Sequence, residues 1–192
     1  MIFTLKRRQD MNTTVWSGGT TTQIAIFPQD ASYADRKFDW RVSSAVVEAE
    51  RSVFTPLPDY NRYIAVTGGE IELIHKESGT DTALRLPPYV PHYFDGGVET
   101  ESIGCAKDFN LMLRKGEFDG KIGFSEGETE LCFERDCVCV IYALSDARLC
   151  FDSESADISS GEAAIAEAQK GGRIAINGAA AYAWVHACAN AE

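Results

Sequence analysis

Residues 63–75, YIAVTGGEIELIH, decide the class of fold. Apolar, aromatic and β-branched residues fill both halves of this stretch, and the turn-forming residues 68–70, Gly-Gly-Glu, separate them. A Gly-Gly pair supplies the positive φ angles that tight turns between strands require. The stretch therefore predicts two β-strands, residues 63–67 and 71–75, joined as a hairpin.

Short segments of the same character recur along the chain, with clusters of Pro, Gly and Asp between them. Regularly spaced short strands with frequent turns favour a β-sandwich or a β-barrel. The predicted fold class is therefore all-β, with at most short helices. The further predicted strands are residues 22–27, 40–47, 101–104, 109–113, 137–144, 148–151, 173–176 and 182–188.

Residues 161–171, GEAAIAEAQKG, leave two interpretations open. The Ala, Glu and Gln content with a Gly at each end favours a helix by propensity. An all-β fold would instead place a strand there. A change of character near residues 115–123 marks the expected domain boundary, with one module at residues 1–118 and a smaller one at 119–192.

Composition excludes several classes of partner. The 192 residues are 45 % apolar and 24 % charged, as is usual for a folded protein. Lys and Arg number 18 against 29 Asp and Glu, so the net charge is −11. Such a surface repels nucleic acid and anionic lipid at long range. No apolar run is long enough for a membrane span, and residues 1–10 are too short and polar for a secretory signal, so we expect a cytoplasmic protein.

The chain lacks the common nucleotide-binding, phosphate-loop, hydrolase and zinc-protease motifs. Its three histidines, His75, His92 and His186, stand far apart, and the six cysteines include no C-x-x-C pair. We therefore expect reduced thiols, no bound metal and no cofactor.

Two predicted strands carry polar residues on one face. Arg41 and Ser43 alternate with apolar neighbours in residues 40–47, and Asp108, Asn110 and Met112 alternate with Phe and Leu further along. Such a face is either exposed to solvent or lines a pocket. Both interpretations stay open.

Three loops carry further candidates. Two prolines in residues 55–62 lead to Arg62, whose guanidinium either clamps a carboxylate or pairs with Asp59 or Glu70. Trp16 precedes two glycines and three threonines, which permit a close approach to a ligand or to another strand. His92 stands beside aromatic residues, where it is either structural or an acid-base group.

These segments together resemble the HutD/Ves family over about residues 16–116. The resemblance rests on WSGGTTTQI (16–24), WRVSSAVVE (40–48), FTPLPDYNR (54–62) followed by GGE (68–70), FDGG (94–97) and DFNLMLRKG (108–116), in the family's order. It implies a double cupin: two small antiparallel β-barrel or jelly-roll modules in one chain, with the motif residues lining the first. Family members look like small-molecule-binding or regulatory proteins, some linked to histidine degradation and others to stress responses.

The residues that match the family's motifs are expected to bind the ligand, and Asp108 and His92 are the candidates for catalysis. Gln23 stands where relatives usually have Glu, and an amide cannot act as a general base. This substitution therefore favours binding over catalysis, and the missing His and Glu motif of the metal-binding cupins favours a metal-free protein. The expected ligand-binding residues are Trp16, Thr21, Arg41, Ser43, Arg62, Phe94, Asp108, Asn110 and Met112.

The leading hypothesis is a metal-independent binding protein for a small polar metabolite, an organic acid held by Arg41 or Arg62. It includes a regulatory or sensing role in amino-acid (histidine) metabolism or the stress response. One alternative is an isomerase, lyase or hydrolase acting on a small acid through Asp108 and His92. A second alternative is a protein-interaction module with an occluded barrel. A homodimer is an open possibility.

Overall fold

The computed structural model describes residues 1–77, 79–133, 136–151 and 154–189. Nearly all regular structure in these residues is β, as predicted, and two single turns of 3₁₀ helix add to it, Arg8–Asp10 and Tyr33–Asp35. The strands are β1 (Ile2–Lys6), β2 (Asn12–Trp16), β3 (Gly19–Phe27), β4 (Trp40–Val47), β5 (Arg51–Val53), β6 (Tyr60–Gly69), β7 (Ile71–Glu77), β8 (Thr80–Leu86), β9 (His92–Asp95), β10 (Glu99–Ile103), β11 (Ala106–Arg114), β12 (Phe118–Ser125), β13 (Glu128–Phe133), β14 (Cys137–Ala143), β15 (Ala147–Phe151), β16 (Glu154–Ile158), β17 (Ala163–Ala168), β18 (Gly172–Asn177) and β19 (Ala180–Ala187).

The chain divides into two units. The N-terminal unit is Asn12–Gly116, and the C-terminal unit joins Met1–Met11 to Glu117–Glu192. The expected first module was residues 1–118, but residues 1–11 belong to the C-terminal unit in the structure. Residues 1–11 belong to the C-terminal unit because β1 pairs with β17 along its whole length, from Ile2 opposite Glu167 to Lys6 opposite Ala163.

Two antiparallel sheets form the N-terminal unit. One has the strand order β2-β3-β4-β11-β6-β9, and the other has the order β5-β10-β7-β8. Buried apolar side chains from both sheets meet in one cluster, with Ile64 and Val66 on β6 and Ile71 and Leu73 on β7. A second buried cluster packs Phe38 and other aromatic and aliphatic side chains near the ends of β3, β6 and β11.

The predicted hairpin of residues 63–67 and 71–75 is wrong, although both strands exist. β6 pairs with β11 and β9, whereas β7 pairs with β10 and β8, so the two strands lie in different sheets. The chain changes sheet at Gly69, which has φ +80 and whose missing Cβ would lie 2.4 Å from the Cys105 carbonyl oxygen. Both strands are apolar on one face, and those faces bury more surface by meeting across the core than by lying side by side.

The C-terminal unit repeats this plan. Its sheets have the strand orders β1-β17-β14-β19-β12 and β13-β18-β15-β16. One buried cluster joins them, with Cys139 and Ile141 from β14 packed with Leu149 from β15 and Ile174 and Ile176 from β18. Among the described residues, no helix has the length and apolar character that crossing a bilayer requires.

The open question at residues 161–171 is settled as a strand. β17 pairs with β1 on one side and with β14 on the other. Its alanines, Ala163, Ala164, Ala166 and Ala168, are buried, and Ala164, Ala166 and Ala168 face the core cluster of the unit. Tertiary pairing here overrides the helix propensity of Ala and Glu.

Candidate functional site

A cavity of about 290 Å³ opens in the N-terminal unit, and eight of the nine expected ligand-binding residues line it. They come from β2, β3, β4, β6 and β11. The polar faces of β4 and β11 therefore line a pocket rather than facing solvent. The eight residues are Trp16, Thr21, Arg41, Ser43, Arg62, Asp108, Asn110 and Met112.

Strand register explains why these side chains converge. Met112 on β11 lies opposite Arg41 on β4 and opposite Arg62 on β6. Asn110, two residues earlier on β11, lies opposite Ser43. Directly opposed residues of antiparallel strands project to the same side of the sheet. Two arginines thus flank one apolar side chain across three neighbouring strands.

Arg41 is buried and held by neutral groups. Its Nε donates to the Gln23 Oε1 at 3.0 Å, and its Nη1 donates to the Ser43 Oγ at 3.1 Å. The guanidinium lies 4.3 Å from the centre of the Tyr33 ring, in cation–π contact. Burial lowers the pKa of Arg41 from its ordinary value of 12.5. An arginine nevertheless stays protonated near neutral pH.

Arg62 is buried and incompletely hydrogen-bonded. Its Nη1 donates a long bond of 3.4 Å to the Thr55 carbonyl, and its buried Nε has no partner among the described residues. The guanidinium lies next to two aromatic rings, 4.9 Å from the centre of Phe54 and 5.0 Å from the centre of Phe94. Burial lowers the pKa of Arg62 to about 10, partly opposed by the charge of Asp108.

No carboxylate in the described part of the chain forms a salt bridge with Arg41 or Arg62, so the suggested pairing of Arg62 with Asp59 or Glu70 is absent there. Glu70 pairs instead with Arg85. Two buried guanidinium groups therefore face one cavity without a salt-bridge partner among the described residues.

Asp108 is the acidic group of the cavity. Its Oδ1 accepts from the Ala45 backbone N–H at 3.0 Å and from the Asn110 Nδ2 at 2.5 Å. Burial raises the pKa of Asp108 to about 7, against the opposing effects of the Ala45 bond and of the Arg62 charge. The carboxyl group can thus hold or release a proton near neutral pH.

Trp16 lies at the edge of the cavity, about one-third exposed. Its Nε1 donates to the Thr21 Oγ1 at 3.1 Å, which joins two expected binding residues. The ring lies against Gly18, where an added Cβ would come within 2.1 Å of the indole. Gly18 therefore leaves room for the Trp16 ring.

Phe94 is the expected binding residue that does not line this cavity. It packs against the Arg62 guanidinium and lies in the apolar cluster between the two sheets. Phe94 therefore contacts the site only through the Arg62 guanidinium. Further lining residues, such as Tyr33, Ser52 and Phe54, come from the turn after β3 and from β5 with the loop after it. Periodicity could not find them, although Phe54 opens the FTPLPDYNR motif.

His92 also lies away from the cavity that Asp108 lines. Its Nε2 is 2.9 Å from the Nε2 of His75, and the His75 Nδ1 is 2.9 Å from the Thr100 Oγ1. Thr100 donates to the Val98 carbonyl, so it accepts from His75 Nδ1–H, and His75 Nε2 accepts from His92. Burial lowers the pKa of both imidazoles.

The enzyme hypothesis rests on Asp108 and His92. Asp108 lines the cavity and His92 does not, so the structure does not bring these two groups together there. The described residues contain no group of three or more His, Cys, Asp or Glu side chains placed to hold a metal ion. The absence of a metal and of a cofactor stays a prediction.

The sequence matches the family model named HutD over residues 8–184. The chain belongs to the HutD family. Among curated protein sequences, no relative matches it. The family match extends well beyond residues 16–116, where the motifs lie, and covers both units.

Solved structures share the fold. The conserved protein of unknown function PA5104 from Pseudomonas aeruginosa PAO1 superimposes with a TM-score of 0.81 at 22 % identity, over 97 % of this chain and 99 % of that one. HutD from Pseudomonas fluorescens SBW25 gives 0.77 at 20 % identity, over 97 % and 100 %. A Bacillus subtilis oxalate decarboxylase gives 0.68 at 7 % identity, over 97 % of this chain and 78 % of that one. This chain therefore has the double-cupin fold that its resemblance to the HutD/Ves family implied.

Proposed function

We propose that the N-terminal unit of this HutD protein binds a small organic acid in the 290 Å³ cavity, with Arg41 and Arg62 as its anion-binding groups. One observation carries the proposal: two buried guanidinium groups face the cavity, and neither forms a salt bridge with a carboxylate of the described residues. A buried charge without a partner is costly, and an anionic ligand removes that cost.

The cavity limits the size of the ligand. A volume of about 290 Å³ corresponds to about ten water molecules at ~30 Å³ each. An acid of about ten non-hydrogen atoms, the size of an amino acid or a short dicarboxylic acid, fills this space. Ser43 and Asn110 offer hydrogen bonds to its polar groups, while Trp16 and Met112 supply apolar walls.

Charge adds selectivity. The chain carries a net charge of −11, so its exterior repels anions in general, while the two arginines attract those that enter. The protonation state of Asp108 also affects the selectivity of the cavity. When Asp108 is protonated, it can donate a hydrogen bond to a ligand carboxylate. When it is ionised, it repels that carboxylate.

The cellular role that we propose is regulation or sensing in histidine metabolism or the stress response. It is supported by the resemblance of the motifs to the HutD/Ves family and by the match to the HutD family model. A cavity lined by one titratable carboxyl group and two arginines is suited to the reversible binding of an acidic metabolite.

Thermal unfolding against a panel of histidine-pathway acids, other amino acids and sugars tests the proposal. At a ligand concentration 100 times Kd, binding stabilises the folded state by about 2.7 kcal/mol, which raises Tm by roughly 5–10 °C. Arg41→Lys and Arg62→Lys should each reduce the shift, because lysine cannot bind a carboxylate with two parallel bonds. Arg51→Lys, an exposed change, is the matched control.

The proposal is wrong if no acid at millimolar concentration raises Tm in wild-type protein. It is equally wrong if an acid does so and both lysine variants, folded, respond as wild type does. Native mass spectrometry of the purified protein supplies an independent measurement, since a retained carboxylic acid identifies the ligand directly.

A further inference from the structure

The C-terminal unit contains a cavity of its own, of about 610 Å³, which the acid-binding proposal does not use. Residues from β12, β13, β14 and β19 line it, and they include two thiols, an imidazole and two carboxylates. The described lining residues are Asp119, Gly120, Lys121, Cys132, Asp136, Cys137, Trp184, His186 and Ala187.

Strand register brings three of these residues into one row. His186 on β19 lies opposite Asp119 on β12 and opposite Cys137 on β14. The Cβ atoms of such directly opposed residues are about 4.5–5.5 Å apart, and their side chains share a face. A thiol, an imidazole and a carboxylate thus follow one another across three adjacent strands. This is the order in which a nucleophile, its base and the group that orients the base are needed.

Cys137 differs from its neighbour Cys139. Both project to the same face of β14, but Cys139 lies opposite Trp184 and is fully buried in the core. Burial raises the pKa of the Cys139 thiol well above its ordinary value. Cys137 belongs to the same buried cluster and is only 6 % exposed, but it lines the cavity, whereas Cys139 does not.

Trp184 suggests which molecules the cavity accepts. Its buried Nε1–H has no hydrogen-bond partner among the described residues, although the residue lines the cavity. Buried N–H groups are nearly always paired, so an acceptor such as a carbonyl oxygen fits here. The Lys121 ammonium lies 5.9 Å from the centre of the indole ring and adds positive charge.

We propose that Cys137 is a nucleophilic thiol that forms covalent adducts with small carbonyl-bearing carbon electrophiles, with His186 as its base and Asp119 as a positioning residue. The imidazole takes the thiol proton, and the sulfur electron pair forms a bond to the electrophilic carbon. The leaving group departs with the electrons of the bond that breaks. With iodoacetamide as the probe, a thioether forms and iodide leaves.

The charged and titratable groups around Cys137 come from every strand that lines the cavity. β12 contributes Asp119 and Lys121, and β19 contributes His186. Cys132 on β13 and Asp136, just before β14, complete the described titratable groups that line the cavity, and Cys139 lies beside Cys137 on the core side. The Lys121 ammonium favours a thiolate, and the two carboxylates oppose it. The register places the His186 imidazole opposite Cys137.

Limited alkylation of the full chain with iodoacetamide at pH 7, with peptide mass spectrometry of all six cysteines, tests the proposal. An ordinary thiol with a pKa of about 8.5 is about 3 % ionised at pH 7, so a stabilised thiolate reacts up to ~30-fold faster. Cys137 should react faster than the exposed Cys105 and Cys150, which serve as internal references. His186→Gln should slow Cys137 about tenfold and leave the references unchanged.

Asp119→Asn should slow Cys137 by a smaller factor and change the pH profile of its alkylation, which a merely structural role would not do. His186 is exposed, so its substitution should leave the fold intact, and Tm verifies this. Alkylation of Cys137 no faster than that of Cys150 overturns the proposal. The proposal is also overturned if His186→Gln leaves the alkylation rate of Cys137 unchanged. It is overturned as well if Cys132 is alkylated faster than Cys137.

Discussion

Gln23→Glu tests the central feature of the proposed acid site, the charge of Arg41, which forms no salt bridge with a carboxylate of the described residues. In the structure the Gln23 Oε1 accepts from the Arg41 Nε at 3.0 Å. Glutamate has nearly the same shape and keeps this bond, but it adds a full negative charge next to the guanidinium. The resemblance to the HutD/Ves family implies Glu at this position, so the variant introduces the residue that the resemblance leads one to expect.

The magnitude follows from Coulomb's law. Two unit charges 4 Å apart interact by about 4 kcal/mol at an effective dielectric constant of ~20, so the introduced carboxylate would neutralise much of the attraction of Arg41 for a ligand. A ligand carboxylate on the far edge of the guanidinium would lie roughly 6 Å from the new carboxylate, and repulsion at that distance is about 2.8 kcal/mol. Each ~1.4 kcal/mol is tenfold in Kd, so binding should weaken about 100-fold.

Isothermal titration calorimetry with the acid that most raises Tm gives Kd for each variant. Gln29→Glu is the matched control, because it makes the same charge change at an exposed position of the same unit. The control should bind within a factor of two or three of wild type. Folded Gln23→Glu protein that binds the acid as tightly as the control refutes the assignment of Arg41 as an anion-binding group.

Two further predictions concern pH and stability. The pKa of Asp108 is raised to about 7 from 3.8, so its protonated form stabilises the fold below about pH 4, and this contribution is lost as pH rises through about 7. Asp108→Asn should therefore raise Tm at pH 8 and not at pH 4, and a difference independent of pH would contradict this. Tyr60→Phe removes a buried hydroxyl that donates to the Phe38 carbonyl at 2.8 Å and accepts from the Phe38 N–H at 3.1 Å. It should lower the free energy of unfolding in urea by about 1–3 kcal/mol, whereas Tyr93→Phe, at an exposed position, should cost less than about 0.5 kcal/mol.

Much of the cavity lining was predictable because strands alternate. The period of two placed Arg41 with Ser43, and Asp108 with Asn110 and Met112, on one face each. It could not decide whether those faces meet solvent or a cavity, since alternation is the same in both cases. The answer depends on the second sheet and on the turn that carries Tyr33, which close over the polar face.

The sequence by itself determined the all-β class, the positions of most strands and the family, because side-chain periodicity and local motifs are properties of consecutive residues. Only the tertiary structure decided which strands pair. It separated β6 and β7 into different sheets and made residues 163–168 a strand despite their helix propensity. It also placed Asp119, His186 and Cys137 in one row, although they are far apart along the chain. Pairing depends on how much apolar surface the whole chain can bury, and no local segment contains that information.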